Sequence, residues 1–193
     1  KPDFYISKPV STSGNWVVYT DLIDGSLDYL YLNTTAAKGN SGQSLPTSEI
    51  FSYGYTANEY IHYLWHNVPG LQKFGSYIGN GSADGPFVEL GFQPAIILLK
   101  NADDGTNRHW CIVDGTRSSF NKSASAEVLF PDDSQVESYA DNNYGQFGSK
   151  PCVDILSNGF KVREGDTIGP YTQTNRSDTI IYAAWAHQPM NNL

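Results

Sequence analysis

Charge is scarce in this chain. Only 17% of its residues are Asp, Glu, Lys or Arg, against about 25% in an ordinary globular domain. What charge there is leans acidic, with a net of −8 and a pI near 4.8. No basic cluster interrupts it, so the electrostatic footprint of a nucleic-acid binder is missing. Long apolar runs are missing too. The longest, 95–99, is far below the roughly 20 residues that span a bilayer as a helix. Cysteine is limited to Cys111 and Cys152, too few for a disulfide framework. They could form one bridge or remain two half-buried thiols. Helix signals are weak almost throughout. The chain starts at Lys1 with no leader-like stretch, which suggests a fragment or a processed product.

In place of charge and helix there is glycine (18 residues), tyrosine (13) and much Asn, Ser and Thr. Short runs of β-branched and aromatic residues alternate with Gly, Asn, Asp and Pro clusters, the pattern of strands and turns. Strands are predicted at 4–8, 16–20, 27–32, 49–55, 60–65, 74–78, 87–90, 95–100, 109–114, 127–130, 153–156, 160–163 and 179–185. Asp24-Gly25, Asp104-Gly105 and Asn158-Gly159 supply turns in which glycine can take a positive φ. The expected class is therefore all-β, of sandwich or barrel type.

The chain also matches itself. Pro2-Asp3-Phe4-Tyr5-Ile6 leading to Asn15-Trp16-Val17-Val18 answers Pro94-Ala95-Ile96-Ile97-Leu98 leading to His109-Trp110-Cys111-Ile112. Tyr29-Leu30-Tyr31 answers Val128-Leu129-Phe130, and Ile50-Phe51-Ser52-Tyr53 answers Ile155-Leu156-Ser157-Asn158. Ile61-His62-Tyr63-Leu64-Trp65 answers Ile181-Tyr182-Ala183-Ala184-Trp185. Two tandem β-sandwich-like repeats follow, 1–71 and 72–193, packed as one rigid unit. The second has longer loops around Phe120 and Tyr144 and near Tyr171. The stretch 73–93 reads as a leading hairpin with no counterpart before Pro2. The first copy is thus expected to have lost its hairpin and the native chain to extend upstream.

Chemistry-bearing motifs are thin. His62 and His66 are four apart, but on a strand that spacing is about 13 Å, and no Glu follows His62 as a metalloprotease helix requires. Gly79-Asn80-Gly81 precedes no helix and meets no lysine, so it reads as a turn. Asp103-Asp104-Gly105 and Asp132-Asp133 lack the spacing of a calcium loop and read as solvated turn acids. No metal and no cofactor is expected. Four Asn-x-Ser/Thr sequons, at Asn33, Asn80, Asn121 and Asn175, are within chance for this composition. No nucleophile elbow is present, and carboxylates are too numerous to single out a glycosidase pair. The four tryptophans sit at matched repeat positions and read mostly as core. The tyrosines of the long second-copy loops read differently, since a rigid aromatic face with a polar tip suits contact with sugars or proteins. Contact is expected from loops 118–122, 139–146 and 171–176, through Phe120, Tyr139, Asn142, Asn143, Tyr144, Tyr171 and Arg176.

Phe74-Gly75-Ser76-Tyr77-Ile78-Gly79-Asn80-Gly81-Ser82-Ala83-Asp84-Gly85-Pro86, with Asp154-Ile155-Leu156-Ser157-Asn158-Gly159-Phe160 and the closing Ile181-Tyr182-Ala183-Ala184-Trp185, resembles a repeated domain of tail-fibre and other virion structural proteins of marine bacteriophages. The resemblance covers the second copy and, more loosely, 2–68. It implies a non-enzymatic virion protein, most readily the distal part of a tail fibre that contacts a host glycan or outer-membrane protein. It also implies a homotrimer attached to other virion proteins. A capsid decoration or head-fibre protein and a tail adaptor subunit are the alternatives, with a polysaccharide depolymerase behind them. No nucleic-acid partner is expected.

Overall fold

The computed structural model describes residues 1–53, 58–106, 108–117, 128–134, 153–163 and 174–187. Among them every regular element is a β-strand, in three antiparallel sheets. The first sheet holds β1 (Phe4–Pro9), β2 (Val17–Thr20), β3 (Asp28–Tyr31), β4 (Gly39–Asn40) and β5 (Tyr60–Trp65), in the order β4-β3-β2-β1-β5. The second combines β6 (Gln72–Ile78), β8 (Pro94–Asn101), β9 (Cys111–Asp114) and β12 (Thr179–Ala186) as β6-β12-β8-β9. The third is small: β10 (Val153–Leu156), β11 (Gly159–Val162) and β7 (Phe87–Glu89), in the order β10-β11-β7.

Side-chain alternation stacks these sheets. On β12, Ile181 and Ala183 point to one side with Phe74, Leu98 and Trp110, and there they meet Phe4, Val18 and Leu30 of the first sheet. Ile180, Tyr182 and Ala184 point the other way with Ile97, Leu99 and Val113, toward Val153, Ile155, Phe160 and Val162 of the third sheet. The central sheet is therefore apolar on both faces, which explains the unbroken run at 95–99. Each fully buried Leu, Ile or Phe contributes roughly 1.5–3 kcal/mol, so the cluster shared by the first two sheets binds residues on both sides of position 71 into one core.

Residues matched between the two halves also pair alike. Phe4 stands opposite Trp65, and Ile96 opposite Trp185. Ile6 stands opposite Val18, and Leu98 opposite Ile112. Val18 faces Leu30 in β3, and Ile112 bridges to Leu129. The faces that meet between the sheets are matched as well: Trp65 and Trp185 touch edge to face, centroids 6.0 Å apart.

Several expectations need correction. Residues 50–53 form no strand: the Ile50 carbonyl accepts from Thr47 N in a local turn, Tyr5 Oη donates to Ser52 O at 2.6 Å and Gln43 Nε2 donates to Tyr53 O at 3.1 Å. At 128–130 only Leu129 pairs, before Pro131, which has no N–H to continue a ladder. Gly25 does take a positive φ of 88°. Gly159 and Gly105 instead serve close approach. A methyl at Gly159 would overlap the Val88 carbonyl oxygen, and one at Gly105 would lie 2.6 Å from Ala37 N. Nor is Asp132 a solvated turn acid. Its side chain is buried, accepts from Trp110 N at 3.2 Å and lies 3.2 Å from His109 Nδ1. Trp110 is core at 1% exposure, whereas Trp16 is 38% exposed and stacks on Tyr63. Cys111 is buried; Cys152 lies outside the described residues.

Lys100 is the unexpected core residue. Its ammonium donates to Thr35 O at 3.1 Å and Asn101 O at 2.8 Å, so it ties the 34–38 loop to β8. Burial pulls its pKa down to about 8, against the opposing pull of Asp132 and Asp104. In the unfolded chain the lysine keeps its proton to about pH 10.4. Between those values the unfolded state binds more protons, so stability must rise with pH. Tyr5 and Tyr182 have raised pKa values from burial, so stability falls again above about pH 10, where unfolded tyrosines ionise first. Urea midpoints should therefore climb from pH 8 to 10 by the equivalent of about 2 kcal/mol, and Lys100→Met should flatten that rise. An unchanged slope in Lys100→Met would assign it to other groups.

Candidate binding groove

Strand alternation also determines what the first sheet shows on its far side. Tyr5, Val17, Tyr19, Tyr29 and Tyr31 all project away from the shared core, with Tyr19 opposite Tyr29 and Val17 opposite Tyr31. Tyr5 and Tyr19 stack at 5.2 Å, and the burial of Tyr5, together with Tyr19 and Asp21, raises its pKa. Tyr29 and Tyr31 approach to 5.4 Å at a 55° tilt. At the β1 end Phe51 and Tyr53 cover this face. At the β2–β3 end it stays open.

The opening is a groove of about 560 Å³. Val17, Tyr19, Tyr29 and Tyr31 form its floor. Its walls are the 12–15 turn, residues 40–43, and Asn58 with Tyr60. The walls are held by their own hydrogen bonds. Asn33 Oδ1 accepts from Trp16 N at 2.9 Å, and Asn33 Nδ2 donates to Asn15 Oδ1 at 3.0 Å. Asn40 Oδ1 accepts from Gly42 N at 2.7 Å, and Ser41 Oγ donates to Leu27 O at 2.6 Å. Gly39 makes room for the floor, since a Cβ there would come within 2.5 Å of Tyr29 Cζ. Among the described residues, the lining contains Tyr, Asn, Gln, Ser and Thr and no charged side chain. In an acidic protein, a neutral cleft of aromatic faces and amide edges can stack on an apolar ring face and hydrogen-bond the hydroxyls at its rim.

The sequence-predicted contacts fare differently. Phe120, Tyr139, Asn142, Asn143, Tyr144 and Tyr171 lie outside the described residues. Arg176 is described, and it sits in an ion cluster, 3.5 Å from Asp104 and 3.8 Å from Asp178. Asp104 also pairs with Arg108 at 2.9 Å, and Asp178 accepts from Asn101 Nδ2 at 2.9 Å. The guanidinium is 45% exposed and links the 174–178 turn to the loop after β8. Its neighbour Asn175 is buried and bonded into the 79–85 turn, so that sequon is closed in the folded chain. Among the described residues no cluster of three or more His, Cys, Asp or Glu is arranged to hold a metal. The groove is not among the contacts expected from the sequence, where 27–32 is predicted simply as a strand. The available signal was the period of two in Val17-x-Tyr19 and Tyr29-x-Tyr31, which sets these rings on one face.

Stacked antiparallel sheets, with an aromatic groove on one outer face, define the class: an all-β protein. Its family is a domain of unknown function (DUF7483), whose model matches residues 1–189, and the chain belongs to that family. The match runs through both halves, including β5 and β12. No curated protein and no solved structure matches the chain.

Proposed function

We propose that this is a non-enzymatic virion protein, two copies of one β unit, that forms the host-contacting part of a phage tail fibre and binds a surface glycan. The groove carries the reading: a tyrosine floor and amide walls, with no charge among the described lining residues. The equal registers of the two sheets support the duplicated unit. A rigid sheet presents the rings at low entropic cost, and a trimeric fibre would multiply modest single-site affinity into avidity.

Binding of purified protein to host cells and to their isolated surface polysaccharide tests the site. Tyr29→Ala with Tyr31→Ala should weaken binding at least 10-fold, about 1.4 kcal/mol. Both rings are only half-buried, so the fold should survive. Unchanged affinity in the double variant would remove the groove from the proposal. Antibody against the chain should mark tail tips in electron micrographs, and labelling of the capsid would overturn the fibre assignment.

A further inference from the structure

The two matched sheets differ at one edge. In the central sheet β12 lies between β8 and β6. In the first sheet β5 pairs with β1 and, among the described residues, with no strand on its other side. The bond from Val10 N to Glu59 O sets the phase of the β1–β5 ladder. Residues 61, 63 and 65 direct their backbone groups to β1, leaving those of Tyr60, His62 and Leu64 directed outward. Their matches in β12 are Ile180, Tyr182 and Ala184, which stand opposite Tyr77, Gly75 and Lys73 of β6. The bond from Gly79 N to Asp178 O places those three pairs in the hydrogen-bonded phase. The edge that is occupied in one sheet is therefore, among the described residues, open in the same register in the other.

The open edge also lacks the usual protection. Exposed edge strands are commonly blunted by Lys, Pro, a bulge or extreme shortness, but β5 is six residues, Tyr-Ile-His-Tyr-Leu-Trp, in unbroken register with β1. Ile61 and Leu64 are 48% and 45% exposed. Beside the strand a cleft of about 240 Å³ lies between Leu64–His66 and residues 47–51, where Ile50 is 68% exposed.

We infer that the outer edge of β5 is a strand-acceptor site. Its occupant is an extended segment with the pattern of β6, Phe-Gly-Ser-Tyr-Ile, contributed by another unit of this architecture and added antiparallel. Glycine at the middle one of these three paired positions has a reason in the occupied edge. A Cβ at Gly75 would lie 2.5 Å from Tyr182 Oη, whose ring crosses β6 there. At the open edge that place belongs to His62, whose ring packs against Phe51, Tyr53 and Tyr60. Main-chain bonds supply the affinity of such an added strand, and alternate side chains supply its specificity.

The probe is a fluorescent peptide with the sequence of residues 71–79, titrated into the whole chain and followed by anisotropy. The expected result is saturable 1:1 binding, at least 10-fold tighter than a scrambled peptide. N-methylation of the peptide's Gly75 amide, which would donate to β5, should abolish binding. N-methylation of Ser76, which points away, should leave it within about 2-fold. These peptide variants leave the protein untouched, so misfolding cannot mimic the outcome. A photo-cross-linker on the peptide should label residues 60–65. Labelling of β12 by exchange with β6, equal binding of the scrambled peptide, or equal effects of the two methylations would each overturn the inference. So would a concentration-dependent dimer cross-linked β5 to β5, which would make a second copy the occupant.

Discussion

Trp110→Ala is expected to destabilise the protein by about 3–5 kcal/mol, the range for removing a large aromatic from a packed core. The indole is 1% exposed, among Phe4, Val18, Leu30, Phe74, Leu98 and Ile181. Those side chains come from both halves of the chain, so little can collapse into the space without moving one sheet against the other. The indole Nε1–H also donates to Tyr31 O at 2.8 Å across the interface. Its loss would leave a carbonyl with fewer partners near the cavity. The matched residue gives an internal control. Trp16 is 38% exposed and stacks on Tyr63 with centroids 6.4 Å apart, so Trp16→Ala should cost about 1 kcal/mol. Urea unfolding followed by far-UV circular dichroism measures both. A loss below about 1.5 kcal/mol for Trp110→Ala would mean that the sheets do not share this core as one cooperative unit.

Strands with a clear apolar signal were legible from the residues alone. β1, β5, β8 and β12 fall within a residue or two of their expected places, because alternation in β1 and β5 and unbroken apolar runs in β8 and β12 report burial on a pleated surface. Pairing was legible indirectly. Residues aligned by the internal match, such as Phe4 with Ile96 and Trp65 with Trp185, occupy the same register in their two sheets. What escaped was anything determined by a partner far along the chain. Residues 50–53 have strand composition, but Tyr5 and Gln43 donate to the carbonyls of Ser52 and Tyr53. Asp132 looks like any loop acid until His109 and Trp110 close over it. The groove tyrosines share strands with core residues, and only the knowledge of which face is covered separates Tyr31 from Leu30.

That covering is where the two halves part ways. The second sheet meets the third through Val88, Phe160 and Val162, so both its faces are spent on core. Among the described residues, the first sheet's outer face is covered by Phe51 and Tyr53. Among the described residues, the first sheet thus keeps a floor of tyrosines and an unpaired strand edge, while the corresponding surfaces of the central sheet are filled. The proposed contact surfaces thus lie where, among the described residues, the cover is incomplete.

The filled edge depends on one backbone approach, and Gly79→Ala is expected to break it at a cost of about 4 kcal/mol, or to prevent folding. A Cβ at Gly79 would overlap the Arg176 carbonyl oxygen and crowd the backbone of Asn175. Both obstacles are main chain, so no side-chain rotation relieves them. Separation of the strands would break the bonds from Gly79 N to Asp178 O at 3.2 Å and from Gly81 N to Asn175 O at 2.6 Å. It would also pull the turn away from Asn175, whose side chain accepts from Asn80 N at 2.9 Å and donates to Ser82 O at 2.5 Å while 1% exposed. A buried amide stripped of partners costs roughly 1–3 kcal/mol by itself. Asn80→Ala tests the alternative that the turn matters only locally. Its exposed side chain bonds within the turn, to Ser82 N and Asp84 O, so its loss should cost about 1 kcal/mol. Denaturation midpoints separate the two variants, and limited proteolysis should nick Gly79→Ala in the 79–85 turn well before the parent chain. A midpoint for Gly79→Ala equal to that of Asn80→Ala would show that the close approach to Asn175 and Arg176 is not what the glycine is for.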